Sequence, residues 1–287
     1  VPPLARGYNQ DFCAPVLFRV MNLFYKISGS VKPLILIPGF ASGAWNWEWQ
    51  IPELSKHFQV ITFDPRGIGR SISGLVDSAN ISMRVFAEDV LSILDELGIE
   101  KADVLGASFG GFVALKFALT FPERLNKLIL ACTSFGGPQH VAPEPEILLG
   151  FVSTEGMNTS ERIRKFMAPA FTEEFNRTHS ETVEKVCRLR DESAVSEKIY
   201  LAQLTAATTF DFECRVEDIA SETLILTGDR DKIVPKENSI NLAERIPNAK
   251  LRIIKNGSHM FFIENADEFN ELVVNFLSQD DQPLFNI

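Results

Sequence analysis

The chain has 287 residues and a formal net charge of −10 with no basic cluster to offset it, so phosphate backbones are repelled and nucleic acid is excluded as a partner. Hydrophobic residues make up 45% and charged residues 23%, globular proportions that exclude a disordered chain and leave room for a large core. No run approaches the ~18 apolar residues of a membrane span.

The opening VPPLARGYNQ carries no apolar signal core, and the chain starts on Val1 rather than Met, so the sequence constrains location only weakly; cytoplasm is the expectation. Further on, VLFRV and NLFYKI flank Met21-Asn22 as an antiparallel edge hairpin. Short Ile/Leu/Val runs then recur, each ending in Gly, Pro or Asp: PLILIPG at 33–39, QVITFDP at 59–65, ADVLGAS at 102–108 and KLILACTS at 127–134. TLILTGD at 223–229 and KLRIIKNG at 250–257 follow much later. Runs apolar throughout, rather than alternating, suit parallel strands covered on both faces.

Helical spacing fills the gaps. SMRVFAEDVLSILDELGI at 82–99 aligns Val85, Phe86, Val90, Ile93, Leu94 and Leu97 on one stripe, with Gly98 as a stop. FGGFVALKFALTFPERL, the segment from Glu237 to Ile246, and FNELVVNFL read likewise. Strand and helix alternate, so the fold class is α/β with a mostly parallel sheet. Between 137 and 213 the alternation stops: Pro138, Pro143 and Pro145 open a charged, helical stretch carrying Phe151, Phe166, Met167, Phe171 and Phe175. It is too long for a plain loop and reads as a helical insertion over the sheet. The expected domains are a core of 1–136 plus 214–287 and a cap of 137–213.

Four cysteines, Cys13, Cys132, Cys187 and Cys214, lie without C-x-x-C or metal-ligand spacing and read as reduced thiols; no metal or cofactor site is implied. The N-x-S/T triplets at Asn80, Asn158, Asn176 and Asn256 read as chance, since a glycan at Asn256 would crowd the loop assigned to chemistry below.

That chemistry begins at GASFG. Small residues around a serine mean little alone, but here they follow a strand and open a helix, the context in which a sharp turn lifts the Ser108 hydroxyl clear of the sheet edge. Ligands of such sheets bind beyond the carboxyl ends of the strands. A serine nucleophile needs a base, and the base an orienting acid. Of four histidines, His57 sits in a polar helical stretch and His140 and His179 in the insertion; His259 alone follows a strand, in KNGSHMFF. The preceding loop, LTGDRDKIVP, offers Asp229 and Asp231; Asp229 is expected to bond backbone within the turn, and Asp231 to reach the histidine. Two backbone N–H groups are expected to meet an oxyanion: that of Phe109, just after the serine, and that of Phe40 in LIPGFASGAW.

Taken together, PGF, DPRGIGRS, GASFGG, GDRDKIVP and SHMFFIE resemble the α/β-hydrolase superfamily across nearly all the chain outside the insertion. The resemblance implies a serine hydrolase with a cap, no cofactor, and a structural role for Asp64 and Arg66 in tying loops near the site. Two departures stand out: Pro38-Gly39 replaces the His-Gly of many relatives, which changes how the Phe40 loop is held, and Asn265 follows Glu264 where many have proline. Epoxide hydrolase and haloalkane dehalogenase relatives use a carboxylate at the elbow, and a serine disfavours both. Hydrolases of carbon–carbon bonds in ring-cleavage products usually have a polar residue before the serine and tryptophan after the histidine, where this chain has Ala107 and Met260. Ester and lactone hydrolases resembling 3-oxoadipate enol-lactonase are the nearest comparison.

Phenylalanines number 23 against three tyrosines and three tryptophans, and Phe40, Phe109, Phe135, Phe261 and Phe262 flank loops at one end of the sheet. Trp45, Trp47 and Trp49 read as packing. The expected substrate is a small ester or lactone with an apolar acyl or aromatic part, bound by a monomer or homodimer; the alternatives are a carbon–carbon hydrolase and a ligand receptor that keeps the same three side chains.

Overall fold

The computed structural model describes residues 16–20, 23–72, 81–152, 156–193, 195–212 and 214–279. An eight-stranded sheet runs through it in the order β1-β2-β4-β3-β5-β6-β7-β8. Its strands are β1 (Val16–Val20), β2 (Leu23–Ser28), β3 (Lys32–Ile37), β4 (Phe58–Asp64), β5 (Ala102–Ala107), β6 (Leu125–Ala131), β7 (Thr223–Gly228) and β8 (Ala249–Ile254). The expected edge hairpin is present: β1 pairs antiparallel with β2, which pairs antiparallel with β4, and every later pairing is parallel. The Met21-Asn22 turn lies outside the described residues.

Helices cover both faces. They are α1 (Ile51–Leu54), α2 (Met83–Glu96), α3 (Phe109–Thr120), α4 (Pro145–Val152), α5 (Thr159–Met167), α6 (Glu173–Thr178), α7 (Ser180–Glu192), α8 (Glu197–Thr208), α9 (Glu237–Arg245), α10 (Phe261–Glu264) and α11 (Ala266–Leu277). The pleat divides each strand between two cores: Ile35 and Ile37 pack with Phe86, Val90 and Val113 of α2 and α3, whereas Leu34 and Leu36 pack with Trp47, Phe269 and Val273 on the opposite face. Every residue of β5 and β7 is buried, which is why these strands carry no polar alternation. Gly98 ends α2 at φ +64°, the left-handed conformation that glycine adopts without steric cost.

Helices α4 to α8 all fall between β6 and β7, the stretch expected to be a helical insertion. They attach to the core by specific bonds. Ile68 bridges to Val195, and Gly136 to Asp211. The Ala170 carbonyl accepts from the Met260 amide at 2.9 Å and from Ser258 Oγ at 2.7 Å. Among the described residues no helix is long and apolar enough to cross a membrane. Cys132, Cys187 and Cys214 are free thiols, and Cys13 lies outside the described residues.

Candidate active site

Ser108 stands between the last residue of β5 and the first of α3 at φ 54° and ψ −119°. Such a backbone costs on the order of 1–3 kcal/mol in a residue with a Cβ and persists only where its surroundings enforce it. Here they do. A Cβ on Gly106 would run into the Gly110 carbonyl, and one on Gly110 into the Ile37 carbonyl, so strand, turn and helix close to contact only because both flanks are glycine. At the end of β6 the Ala131 carbonyl accepts the Ser108 amide at 2.8 Å, and just beyond the strand Thr133 Oγ1 donates to the Ser108 carbonyl at 2.8 Å. The Ser108 side chain is left at the edge of a cavity of about 370 Å³.

His259 reaches the same cavity from the loop after β8. Gly228 and Gly257 bring the ends of β7 and β8 together: a Cβ on Gly228 would strike the Gly257 carbonyl, and that carbonyl accepts from the Arg230 amide at 2.9 Å. Asp231 thereby lies beside the imidazole, with Nδ1 of His259 at 2.9 Å from Oδ2 and 3.1 Å from Oδ1. The carboxylate is itself oriented by the amides of Ile233 and Val234, at 2.9 and 2.8 Å from Oδ1. Nδ1 therefore carries the proton that Asp231 accepts, and Nε2 is the ring nitrogen available as a base. Asp229, expected to bond turn backbone, instead has a buried Oδ1 without a partner among the described residues, while Asp231 takes the Ile233 and Val234 amides of the turn.

The Phe40 loop is held from two sides. Gly39 donates its amide to Asn46 Oδ1 at 3.2 Å, and Ala41, at φ 50°, donates its amide to Gln203 Oε1 of α8 at 2.9 Å. Between them the Phe40 N–H has no acceptor among the described residues. The Phe109 N–H, in the first position of α3, has no intrahelical acceptor, as every helix start dictates. Both residues line the cavity. Asp64 supports the loop from beneath, accepting the Ala44 amide at 2.8 Å and Arg70 Nε at 2.7 Å, while Arg66 pairs with Asp89 of α2. Asp64 and Arg66 of the DPRGIGRS segment thus tie it to the neighbouring loop and to helix α2, the structural role that the resemblance implied.

Most of the lining is apolar. Phe40, Phe109 and Phe262 face the cavity together with Phe112, Phe166 and Phe210, whereas Phe135 and Phe261 are core. None of the three tryptophans lines it; Trp47 is fully buried against Phe262. Polar side chains enter as well: Ser42, Asn46, Thr208, Arg190 of α7, Ser134 and His140, the last two joined at 3.0 Å from Oγ to Nδ1. Burial holds His140 below the usual imidazole range. Cys132, Asp231 and His259 bring possible ligand atoms within 4.8 Å of one another. Metal ligation needs the thiolate, and burial together with the Asp231 charge pushes the Cys132 thiol up; Asp231 and His259, moreover, already engage each other.

Residues 32–266 match a family model described as alpha/beta hydrolase fold. The chain belongs to this family. RutD of Caulobacter vibrioides (strain NA1000 / CB15N), named as a carbamate hydrolase, is 29% identical over 271 residues, covering 90% of this chain and 96% of its own. The 2-hydroxy-6-oxo-6-phenylhexa-2,4-dienoate hydrolase of Comamonas testosteroni is 29% identical over 268 residues, covering 90% and 91%. In fold, the chain is similar to the enol-lactonase of Burkholderia xenovorans LB400, with a TM-score of 0.79, 23% identity, and coverage of 90% and 96%.

Ser108, Asp231, His259, Phe40 and Phe109 thus gather at one end of the sheet. Sequence reasoning missed Asn46, Gln203, Arg190 and Glu264. Glu264 links the histidine loop to the insertion, accepting the Ser258 amide at 2.9 Å and the Thr172 amide at 2.6 Å. Asn46 was within reach of inspection, seven residues past Gly39, as was the Glu264 bond to Ser258, six residues apart; Gln203, Arg190 and the Glu264 bond to Thr172 act across distances that no local pattern encodes.

Proposed function

We propose that the protein is a cofactor-independent serine hydrolase of carboxylic esters or lactones with an apolar acyl or aromatic part, working through an acyl-enzyme. The reading rests above all on the 2.9 Å bond from His259 Nδ1 to Asp231, with Ser108 held in a strained turn on the same cavity. His259 Nε2 takes the Ser108 proton as the hydroxyl attacks the carbonyl. The tetrahedral oxyanion forms where the Phe40 and Phe109 amides stand without acceptors, and one such donor is worth on the order of 3 kcal/mol in the transition state. His259 protonates the leaving group, then activates water to release the acid. Asp231 remains ionised and keeps the imidazole in its tautomer. Residues 137–213 act as a cap over this site, and 1–136 with 214–287 as the core that carries it.

Rates on p-nitrophenyl esters of graded chain length, beside a set of small lactones, test the reading: steady multiple turnover is expected. A single slow turnover would instead mark a ligand receptor. A second reading, hydrolysis of carbon–carbon bonds, draws support from the dienoate hydrolase among the relatives; turnover of that relative's namesake substrate faster than any ester would favour it.

A further inference from the structure

Arg190 is a buried cation. It projects from α7 into the cavity that Ser108 and His259 share, at 9% exposure, and forms no ion pair with a carboxylate among the described residues. Other arginines near the site behave differently, Arg66 meeting Asp89 and Arg70 meeting Asp64. What Arg190 has is a single hydrogen bond, from Nη1 to Ser42 Oγ at 3.2 Å, and the ring of Phe166 beneath its guanidinium at 4.4 Å from the centroid. Burial pushes its ionisation down to about 10, so it remains charged at neutral pH. Burying a charge without a counter-charge is costly, and a guanidinium presents five N–H donors in one plane, of which one is used among the described residues. Phe166 lies against the guanidinium as an apolar ring and takes none of its donors as a hydrogen bond.

We propose that Arg190 receives a carboxylate carried by the substrate, at the end of the cavity bounded by Ser42 and helix α7, while the apolar body of the substrate fills the space between this end and Ser108. The inference rests on the hydrolase reading only in taking this cavity as the substrate site. A guanidinium edge matches a carboxylate with two parallel hydrogen bonds. One charge meets one charge: the other basic lining groups are the imidazoles His140 and His259, so a dianionic phosphate would be left half-neutralised. The ester or lactone with an apolar acyl or aromatic part expected from the sequence becomes an apolar half-ester or lactone acid. Arg190 is on this account a specificity residue, and its bond to Ser42, two residues past Phe40, sets the charged end beside the oxyanion loop.

The test compares p-nitrophenyl pentanoate with p-nitrophenyl hydrogen glutarate, which share a five-carbon acyl chain and differ in the terminal carboxylate. Wild-type kcat/KM should favour the glutarate, and Arg190→Gln should lower it on the glutarate about 10- to 100-fold more than on the pentanoate, the range of a hydrogen bond to a charged group. Arg190→Lys, with charge but no planar fork, should fall between. Equal losses on both esters, or no wild-type preference for the glutarate, overturn the proposal and reduce Arg190 to a strut for Ser42. A binding arm separates this outcome from failure of the hydrolase reading. Calorimetry on Ser108→Ala with 5-phenylpentanoate and 5-phenylpentanamide should show tighter binding of the acid, lost in the Ser108→Ala/Arg190→Gln protein. That pattern without any ester turnover retains the carboxylate site and removes the esterase; equal binding of acid and amide removes the site.

Discussion

Replacing Gln203 with leucine should damage catalysis from a helix that carries none of the reacting groups. Gln203 and Ala41 are 1% and 3% exposed, and their hydrogen bond, Oε1 to amide at 2.9 Å, has no water to replace it. Leucine keeps the bulk and removes the acceptor, leaving a buried N–H unsatisfied at a cost of about 1–3 kcal/mol. Ala41 also sits at φ 50°, a conformation that this bond helps to hold, so the loop relaxes in the direction that moves its neighbour Phe40. Full loss of the Phe40 donor would cost on the order of 3 kcal/mol, or roughly 100-fold or more in kcat, which sets the ceiling. Partial displacement should lower kcat about 10- to 100-fold with a much smaller change in KM, because the donor acts in the transition state rather than in substrate binding. Steady-state kinetics on one good ester, with a melting curve as control, reads this out. A Tm lowered by a few degrees with kcat intact would refute the argument, since the bond would then support the fold and not the oxyanion site.

Asp231→Asn should retain the fold and lose about 10⁴-fold in kcat, because the amide can no longer hold His259 in the tautomer that presents a basic Nε2; activity within tenfold of wild type would assign the acid elsewhere. His140 is held by burial below its unfolded value, so the unfolded chain takes up its proton first and stability is lost as pH falls from the ordinary imidazole range toward the lower folded value. His140→Gln should therefore flatten the decline of Tm between pH 7 and pH 5, and a wild-type slope in the variant would contradict this.

Much of the fold was legible because it is local. Most of the parallel strands announce themselves as apolar runs, and each observed strand falls on or within a residue or two of its run, as with TLILTGD and β7 at Thr223–Gly228, whereas the edge strand β8 carries Lys250 and Arg252 and is largely unburied. Helix α2 follows the stripe from Phe86 to Leu94 because one face must meet the sheet. The elbow was legible for a different reason: the steric demand of Ser108 at φ 54° requires glycine at 106 and 110, and that requirement is written in five consecutive residues. What stayed hidden is non-local. Gln203 touches Ala41 across 162 positions and Arg190 touches Ser42 across 148, and nothing in EKIYLAQLTAAT or KVCRLRD distinguishes these two side chains from others on amphipathic helices. The acidic turn was half legible: the spacing favoured Asp231, but it did not foresee that this carboxylate would also take the Ile233 and Val234 amides, or that Asp229 Oδ1 would lack a partner among the described residues. The departure at Pro38 resolves in the same way. The loop that many relatives begin with His-Gly is here held by Asn46 on one side and Gln203 on the other.

The central claim is that Ser108 is the nucleophile, its hydroxyl deprotonated by His259. Treating the protein with a fluorophosphonate and weighing the intact chain tests it most directly. The account predicts one adduct per chain, located on Ser108 by peptide mapping, absent in Ser108→Ala and strongly slowed in His259→Ala. Undiminished labelling of Ser108→Ala, or an adduct mapped to another residue, would contradict it.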